Sequence, residues 1–570
     1  MKKFVMIIAL SLMVSCATFH NPPNLKYEAV EPELKNSPLY FKYLKAQLLL
    51  HEERFDEAIE VYKEVLSLRP GSIEILRELS TLLVRQGRIE EALGYAEKLL
   101  NRAPGDPEVL VFVGRLYAGA GRWKQAIDVF ERAFAINPED ADVCLLLGTL
   151  YAQVGMYDEA IKRLDLLTEI LPDNPLAYYY KARVLLEMRL YEFAEKMYLK
   201  ALEIDPYLTE ALLDLSYLYE NTGKKDKAVE AYRRILSYDP DNPLALERLG
   251  NFFMRTGRLD EALEIFERLS MLEKSGDLEN RLKIGIIHLK KRSYEEAIKD
   301  FRAVLQKEPE YDQALFYLAT TYEEQGDFEQ AIVNYRLIQP SSSLWKIAQI
   351  RLAVIFSRKG EYDTAVDVLR KAAAVPEGGH PEFFLYMAMF REEQGRLEEA
   401  IAILDEGLDK FPGDVDLLYR KGIVLDKQGR KNDAIKVMEK ILEKDPNNAE
   451  ALNYIGYTYA DQGIRLDEAE KLIRRALEQQ PDDGYILDSM AWVYYRMGKY
   501  DKARIYIDKA LERVPEDPVI TDHAGDIYRA LGSLKKALRF YERAIELGHE
   551  KKAEIEKKIK QIKARFGRPD

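Results

Sequence analysis

The sequence predicts an all-α fold in which about fifteen pairs of helices stack side by side, and three regularities of spacing support this prediction. An alanine recurs fifteen times at intervals of 34 or 35 residues. A proline follows this alanine by twelve residues in eleven units, and Gly, Ala or Ser precedes it by twelve residues in fourteen units. The recurring alanines are Ala58, Ala92, Ala126, Ala160, Ala194, Ala228, Ala262, Ala297, Ala331, Ala365, Ala400, Ala434, Ala469, Ala503 and Ala537.

The segment 141–172 illustrates how each unit is built. Gly148 lies on the inner face of a first helix, and Gly155 ends that helix because glycine tolerates a positive φ. Ala160 lies on the inner face of a second helix, and Pro172 prevents the chain from continuing as helix. Because small side chains let the helices approach closely, Ala160→Leu is expected to overpack the pair and to cost about 1–3 kcal/mol.

The spacing, the small residues and the prolines resemble the tetratricopeptide repeat (TPR) over residues 38–548. The resemblance implies an α-solenoid of about fifteen TPR helix pairs, wound into a right-handed superhelix whose concave groove is lined by the first helices. One unit departs from the pattern, since Gly456 is displaced by one residue, and a turn one residue longer is expected around 463–465. Residues 549–570 are expected to form a capping helix and tail. Its apolar stripe is Ile555, Ile559, Ile562 and Phe566.

The first sixteen residues, MKKFVMIIALSLMVSC, are predicted to be a targeting signal. Two lysines precede an apolar run, 4–14, that is too short to span a bilayer as a helix. The end of the segment resembles a bacterial lipobox, so residues 1–15 are expected to be removed and Cys16 to carry lipid. Ala17 favours the outer membrane, facing the periplasm, because it is not the aspartate typical of inner-membrane retention. A plain secretory signal with a chance cysteine, or an uncleaved anchor, is the alternative.

The chain between the lipidated cysteine and the array is rich in proline. Residues 16–38 are therefore interpreted as a tether, and the TPR solenoid is expected to occupy 39–548. The regular pattern weakens at three places, near 275, 341 and 378, where flexible joints are expected. The repeat resumes within one residue of register after each of them, so none is a convincing domain boundary.

No catalytic or metal-binding motif is present in the sequence. The six histidines form no i, i+4 pair, and there is no Cys-x-x-Cys, Gly-x-Ser-x-Gly or phosphate-binding loop. We therefore predict that the chain is not an enzyme and needs no cofactor or metal. The net charge of −13 argues against nucleic acid or anionic membrane surfaces as main partners. Besides Cys16 the chain has only Cys144, which is interpreted as an inert core thiol.

Helical geometry predicts a partner-binding surface near the end of the array. Leu487, Ala491 and Tyr494 should point into the core, which leaves an adjoining face of the same helix for the groove. The segment 452–503 also resembles a block that recurs in bacterial envelope TPR proteins. The candidate partner-binding residues are Asn453, Tyr457, Tyr485, Asp488, Trp492, Tyr495 and Arg496. The alternative is that these aromatic residues only stabilise the groove wall.

A second, weaker candidate surface is formed by the tyrosines at 178–180 with Arg183. One familiar TPR function is not expected at the start of the array. Domains that grip the C-terminal carboxylate of chaperones use lysine and asparagine on successive first helices. The corresponding positions here are Tyr43, Gln47, Arg77 and Thr81.

These features together predict a lipid-anchored envelope scaffold that binds segments of partner proteins in its groove. By resemblance, the expected roles are assembly of a secretion, pilus, polysaccharide-export or cell-wall machine. The alternative is a polysaccharide-binding envelope protein whose groove aromatics stack on sugars.

Overall fold

The structure is a computed structural model that describes residues 38–272, 278–376 and 379–566, with side chains to residue 564. These residues form thirty-one α-helices and no strand, which confirms the all-α prediction. The chain divides into two compact units between Lys274 and Ser275. The expected signal, Cys16 and the tether lie outside the described residues. None of the described helices is long and apolar enough to cross a membrane.

The first unit contains fourteen helices, which form seven antiparallel pairs of one first and one second helix. They are α1 Pro38–His51, α2 Phe55–Leu68, α3 Ile73–Arg85, α4 Ile89–Arg102, α5 Pro107–Gly119, α6 Trp123–Ile136, α7 Ala141–Gln153, α8 Tyr157–Ile170, α9 Pro175–Glu187, α10 Tyr191–Ile204, α11 Thr209–Asn221, α12 Lys225–Tyr238, α13 Pro243–Thr256 and α14 Leu259–Leu272.

The second unit contains eight further pairs and a final helix. They are α15 Leu278–Lys290, α16 Tyr294–Lys307, α17 Asp312–Gln325, α18 Phe328–Leu337, α19 Trp345–Arg358, α20 Tyr362–Ala372, α21 Pro381–Glu393, α22 Leu397–Lys410, α23 Val415–Lys427, α24 Lys431–Lys444, α25 Ala449–Gln462, α26 Leu466–Gln479, α27 Gly484–Arg496, α28 Tyr500–Arg513, α29 Pro518–Ala530, α30 Leu534–Glu546 and α31 Lys552–Phe566.

Many of the first helices begin at an Asp or Asn that stands two residues after the repeat proline. Asp140 is typical, since its carboxylate accepts a hydrogen bond of 3.1 Å from the amide of Val143. Such a cap satisfies a backbone donor that has no partner within the helix, so each unit restarts at a defined residue. The capping residues of this kind are Asp106, Asp140, Asn174, Asn242, Asp414, Asn448, Asp483 and Asp517.

The turn within a pair needs a left-handed residue. Gly155 has φ +80° at the predicted position. In the thirteenth pair, Gly463 ends the first helix at φ +72°, and Arg465 is also left-handed at φ +48°. This is the longer turn that the displaced Gly456 predicts, and Gly456 still packs on the second helix, because a Cβ there would lie 2.6 Å from Ile473.

Each recurring alanine is fully buried, with 0% of its surface exposed in all fifteen pairs. In fourteen of the fifteen pairs, the second helix presents a large side chain one turn later, and this side chain packs against the small residue of the first helix; the exception is Ala96 in the second pair. The ring of Phe130, for example, would lie only 2.7 Å from a Cβ atom added at Gly114. The close approach predicted from the small residues is therefore confirmed, and the large partner side chain four residues after the alanine explains it.

Five of these large side chains are tyrosines, and each hydroxyl reaches a carboxylate on a first helix. Because burial raises the pKa of these hydroxyls, they remain protonated donors. The hydrogen bonds are Tyr62 to Glu78 at 2.7 Å, Tyr198 to Asp214 at 3.5 Å, Tyr232 to Glu220 at 2.8 Å, Tyr335 to Glu323 at 3.0 Å and Tyr541 to Asp526 at 2.6 Å. The first-helix face is thus tied to the core by a polar contact that recurs in both units.

Candidate functional site

Three successive first helices of the second unit, α25, α27 and α29, bring a group of rings together. The rings of Trp492 and Tyr495 stack with centroids 4.9 Å apart and an interplanar angle of 19°. The imidazole of His523 stacks on Trp492 at 4.0 Å and 17°, and Tyr457 lies 6.3 Å from that imidazole. Tyr457, Trp492 and Tyr495 keep part of their surface exposed. We call these three side chains the aromatic surface.

His523 lies beneath the aromatic surface and is paired with Asp488. The Nδ1 atom of His523 lies 3.0 and 2.9 Å from the two carboxylate oxygens of Asp488. Only 7% of His523 and 6% of Asp488 is exposed. Burial by itself lowers the pKa of His523, but the nearby Asp488, Asp522 and Asp526 carboxylates outweigh burial and raise it above its ordinary value. The pair therefore links α27 to α29 under the rings.

The other charged groups around the aromatic surface also have partners within the protein. Arg496 donates a hydrogen bond of 2.5 Å to the carbonyl oxygen of Asp461. The carboxylate of Asp461 accepts one of 2.8 Å from Lys431. Beyond His523, Lys558 on α31 lies 2.9 Å from Asp522 and 2.7 Å from the Asp526 carboxylate. Asp461, Asp522 and Asp526 are therefore paired with lysines of the protein, whereas Arg496 is held by a backbone carbonyl and keeps its charge.

Two buried polar atoms at this site make no hydrogen bond to the described residues. They are Oδ1 of Asn453, an acceptor, and Nε1 of Trp492, a donor. Leaving a buried polar group unpaired costs about 1–3 kcal/mol. Because both atoms are buried, an ordered water, rather than a segment bound at the surface, is the partner that could satisfy them.

The structure brings several of the predicted site residues together and separates others. Tyr457, Trp492 and Tyr495 form the aromatic surface, whereas Asp488 lies behind it and is occupied by His523. Tyr485 is 55% exposed. It stands seven residues before Trp492, which places the two residues on the same face of α27.

Sequence reasoning missed His523, which was considered only as part of a catalytic motif. The signal was its spacing of 35 residues from Asp488, one repeat length, which places the two residues at matching positions of adjacent first helices. The inward-pointing residues were predicted correctly, since Leu487, Ala491 and Tyr494 are all buried.

The second candidate surface is largely internal. The guanidinium of Arg183 lies 5.7 Å from the ring centroid of Tyr179, and its Nε atom lies 3.6 Å from the buried carboxylate of Asp214. Tyr179 is itself buried, with 8% exposed. The predicted core thiol, Cys144, is fully buried, and burial raises its pKa, which disfavours the reactive thiolate.

Within the described residues, no group of three or more His, Cys, Asp or Glu side chains could hold a metal ion.

A curated relative and several solved structures are similar to parts of this chain. The relative is a TPR repeat-containing protein of Pseudomonas aeruginosa, 31% identical over 188 residues, and the match covers 33% of this chain and 32% of the relative. The chain thus matches about a third of that protein's length. The crystal structure of MamA protein is 26% identical over 30% of this chain and 92% of its own, with a TM-score of 0.28.

Two further solved structures have similarly low TM-scores. One is YrrB, described as a TPR protein with an unusual peptide-binding site, which is 21% identical over 33% of this chain and 98% of its own, at 0.28. The other is Naa15/Naa10 bound to HypK-THB, 15% identical over 92% of this chain and 96% of its own, at 0.35. No conclusion about this chain rests on structural matches at these scores.

Family models described as tetratricopeptide repeat match most of both units. The matched ranges are 49–116, 117–184, 356–422, 391–455, 425–493 and 460–522 for one model, 213–270 and 282–343 for a second, and 523–547 for a third. The first model alone matches more than half of the chain. TPR proteins are typically non-catalytic and bind peptide segments of partner proteins. This chain belongs to the tetratricopeptide repeat family.

Proposed function

We propose that this chain is a scaffold of a bacterial envelope, held to the membrane by lipid at Cys16, and that it binds partner segments at the aromatic surface. The single observation that carries the binding proposal is the stack of Trp492 and Tyr495 over the buried His523. Partly exposed tryptophan and tyrosine rings on a rigid, packed base are the composition and setting of binding hot spots. The exposed ring of Tyr485 extends the same face.

The charges around the rings suggest what kind of segment would bind. Asp488, Asp461 and Asp526 are each paired with a cation of this protein, so these three carboxylates are not free to neutralise a partner's charge. Recognition would then depend on apolar and aromatic contact with hydrogen bonds to the partner's backbone. Such binding should change little with salt concentration, because screening acts on unpaired surface charges.

The binding proposal is tested by photo-crosslinking in intact cells. A photoreactive phenylalanine analogue at Tyr485 should form adducts with partner proteins, which mass spectrometry would identify. The matched control carries the analogue at Tyr500, a tyrosine 37% exposed on the second helix α28. Adding Trp492→Ala to the chain that carries the analogue at Tyr485 should abolish the adducts, because it removes the centre of the ring stack.

Adducts that persist with Trp492→Ala, or that form equally at Tyr500, would exclude the aromatic surface as the binding site. Loss of the adducts through misfolding is distinguished by the circular dichroism and thermal transition of the purified variant. Both should stay close to those of the parent protein.

The proposed anchor and location rest on the N-terminal sequence. An apolar run of eleven residues ends at a lipobox-like segment with Cys16, and a proline-rich stretch follows. Metabolic labelling with a radioactive fatty acid should label the native chain and not Cys16→Ser. Density fractionation of the envelope should place the native chain with the outer membrane. Recovery in the cytoplasm, or equal labelling of Cys16→Ser, would refute the anchor.

A lipid-held scaffold with a preformed surface would keep partners near the membrane without transforming them. We propose that it supports assembly of a secretion, pilus, polysaccharide-export or cell-wall machine. The identity of the crosslinked partners distinguishes among these machines.

The parallel rings of Trp492 and Tyr495 also favour a second candidate, a polysaccharide-binding envelope protein, because flat exposed rings stack on sugars. Binding of the purified chain to a glycan array that is lost with Trp492→Ala, without any protein adduct in cells, would favour this candidate.

A further inference from the structure

Helix α1 opens the first unit and leaves a row of large apolar side chains in solvent. Phe41 is 71% exposed, Leu44 is 48% exposed and Leu48 is 58% exposed. Their spacing of three and four residues places them on one face of the helix. The opposite face of α1 is buried through Ala46 and Leu49. We call Phe41, Leu44 and Leu48 the apolar edge. They form the outer side of a helix whose inner side is already packed.

The opposite end of the chain is built differently. The final helix α31 buries Ile555 and Ile562, and its exposed residues include Glu554, Glu556 and Lys557. Terminal elements of repeat arrays normally present such a polar outer face, because nothing further packs on them. The apolar edge of α1 departs from this rule, which indicates that another surface covers it.

A second copy of the chain is a poor candidate for that cover. Stable protein interfaces bury roughly 800 Å² on each partner and involve about 20 to 30 residues a side. Three side chains on one helix fall far short of this. A small apolar contact becomes effective only when something else already holds the two surfaces close together.

A lipid surface satisfies this requirement if Cys16 is the anchor. Twenty-one residues, 17–37, connect that cysteine to α1. Twenty-one residues span at most about 70 Å even when fully extended. The apolar edge would therefore always stay within that distance of its anchor point, so its contact with the lipid would be an intramolecular event.

The charges of α1 agree with a lipid surface. Its charged side chains are Lys42 and Lys45, and the helix has no acidic residue. Lys42 is paired with Glu64 of α2, whereas Lys45 is exposed and stands next to Leu44 in the apolar edge. Apolar residues flanked by lysine are typical of helices that lie in the membrane interface.

We propose that the apolar edge of α1 rests on the lipid surface to which Cys16 is anchored, so that the first unit stands on the membrane by its opening helix. This inference rests on the lipid anchor of the proposed function. Phe41, Leu44 and Leu48 enter the boundary between headgroups and acyl chains, and Lys45 lies at the phosphates.

The test uses the full chain, produced in a Gram-negative host, purified in detergent and reconstituted into vesicles of phosphatidylcholine with phosphatidylglycerol. Leu44→Cys carries a bimane fluorophore, and the matched control is Phe193→Cys, at a site 61% exposed on α10. Nitroxide-labelled lipid should remove most of the fluorescence at position 44 and little at position 193. Adding Phe41→Glu and Leu48→Glu should abolish the quenching at position 44.

Flotation of the vesicles separates this proposal from the anchor on which it rests. If the chain floats with the vesicles and position 44 is quenched no more than position 193, the apolar edge does not rest on lipid, although the anchor stands. If the chain does not float, the anchor fails and the inference fails with it. Energy transfer between labels at position 44 in detergent, without lipid, would show that a second copy covers the edge and would overturn the proposal.

Discussion

At the scale of single residues, Gly148 illustrates what holds a pair together. A Cβ at this position would lie 2.7 Å from Leu164, which is closer than real side chains approach. Gly94, on the second helix α4, is the opposite case, because a Cβ there would meet nothing within 4 Å. Both glycines have ordinary helical backbone, so only their surroundings differ.

We therefore expect Gly148→Ala to destabilise the first unit and Gly94→Ala to stabilise it slightly. The close contact costs about 1–3 kcal/mol. At either site, the higher helix propensity of alanine stabilises the folded protein by up to about 1 kcal/mol. Hydrogen exchange followed by mass spectrometry should be faster in α7 and α8 with Gly148→Ala and unchanged or slower in α4 with Gly94→Ala. Equal effects at the two sites would contradict the packing explanation.

The contribution of His523 to the stability of the folded protein depends on pH. Because its pKa is raised in the folded protein, the ion pair with Asp488 contributes fully below the unfolded pKa of about 6.5. This contribution is lost as pH rises through the raised folded pKa. Stability from this pair is therefore highest at mildly acidic pH and declines above neutrality.

We expect the urea midpoint of the native chain to fall more steeply between pH 6 and about pH 9 than that of His523→Gln. The glutamine variant should be the less stable protein at pH 6, and the difference should narrow as pH rises. His51→Gln, at an exposed histidine of α1, serves as the control and should keep the native pH profile. A difference between native chain and His523→Gln that widens with pH would refute the ion-pair assignment.

At the scale of elements, the final helix α31 shows how the last pair is completed. Ile555 and Ile562 pack in the same buried cluster as Tyr528 and Tyr541, and Lys558 reaches two aspartates of α29. Helix α31 therefore lies against the last pair much as a further first helix would. The hydroxyl of Tyr541 donates a hydrogen bond to the buried Asp526, so the cluster that α31 covers also contains a buried polar contact.

Ile555→Ala should loosen α31 and the pair beneath it, at a cost of about 2–5 kcal/mol for a fully buried isoleucine. Amide exchange should accelerate in α29 to α31 and remain unchanged in the first unit, because repeats of this kind contact only their neighbours. Lys557→Ala, at an exposed residue two positions along the same helix, is the matched control. Equal acceleration in both variants would contradict the packing explanation, because alanine has a higher helix propensity than either residue that it replaces.

At the scale of the whole molecule, the division between Lys274 and Ser275 is the main feature. The sequence places its first irregular joint near the same position, where the repeat proline is missing. A second irregular segment, around 377–380, combines glycine with proline. Both joints lack the proline that stands twelve residues after the recurring alanine in eleven of the units.

We predict that a protease of broad specificity cleaves the native chain first at 275–276 or within 377–380. Intact-mass spectrometry of early fragments identifies the sites, and the stretch 87–240, in which every repeat proline is present, should resist longest. First cleavage inside that stretch would contradict the prediction.

How far the aromatic surface could be predicted from sequence differs from residue to residue. The positions of Trp492 and Tyr495 on a side of α27 that differs from the buried side follow from helical periodicity alone. The role of Asp488 does not, because its partner His523 lies on the next first helix, and the contact depends on the angle at which adjacent pairs stack. The Asp and Asn caps follow a Pro-x-Asp or Pro-x-Asn pattern that the sequence contains, but the spacing of the alanines does not by itself reveal them.

The sequence by itself determined the number of helix pairs, their boundaries and which side chains face inward, because the alanine spacing and helical period leave one arrangement that buries the apolar faces. Only the tertiary structure decided which charges cancel and which rings meet. Those contacts join residues one repeat length apart, and their distances depend on packing between neighbouring pairs. The ion pair beneath Trp492 and the uncovered edge of α1 are both results of that packing.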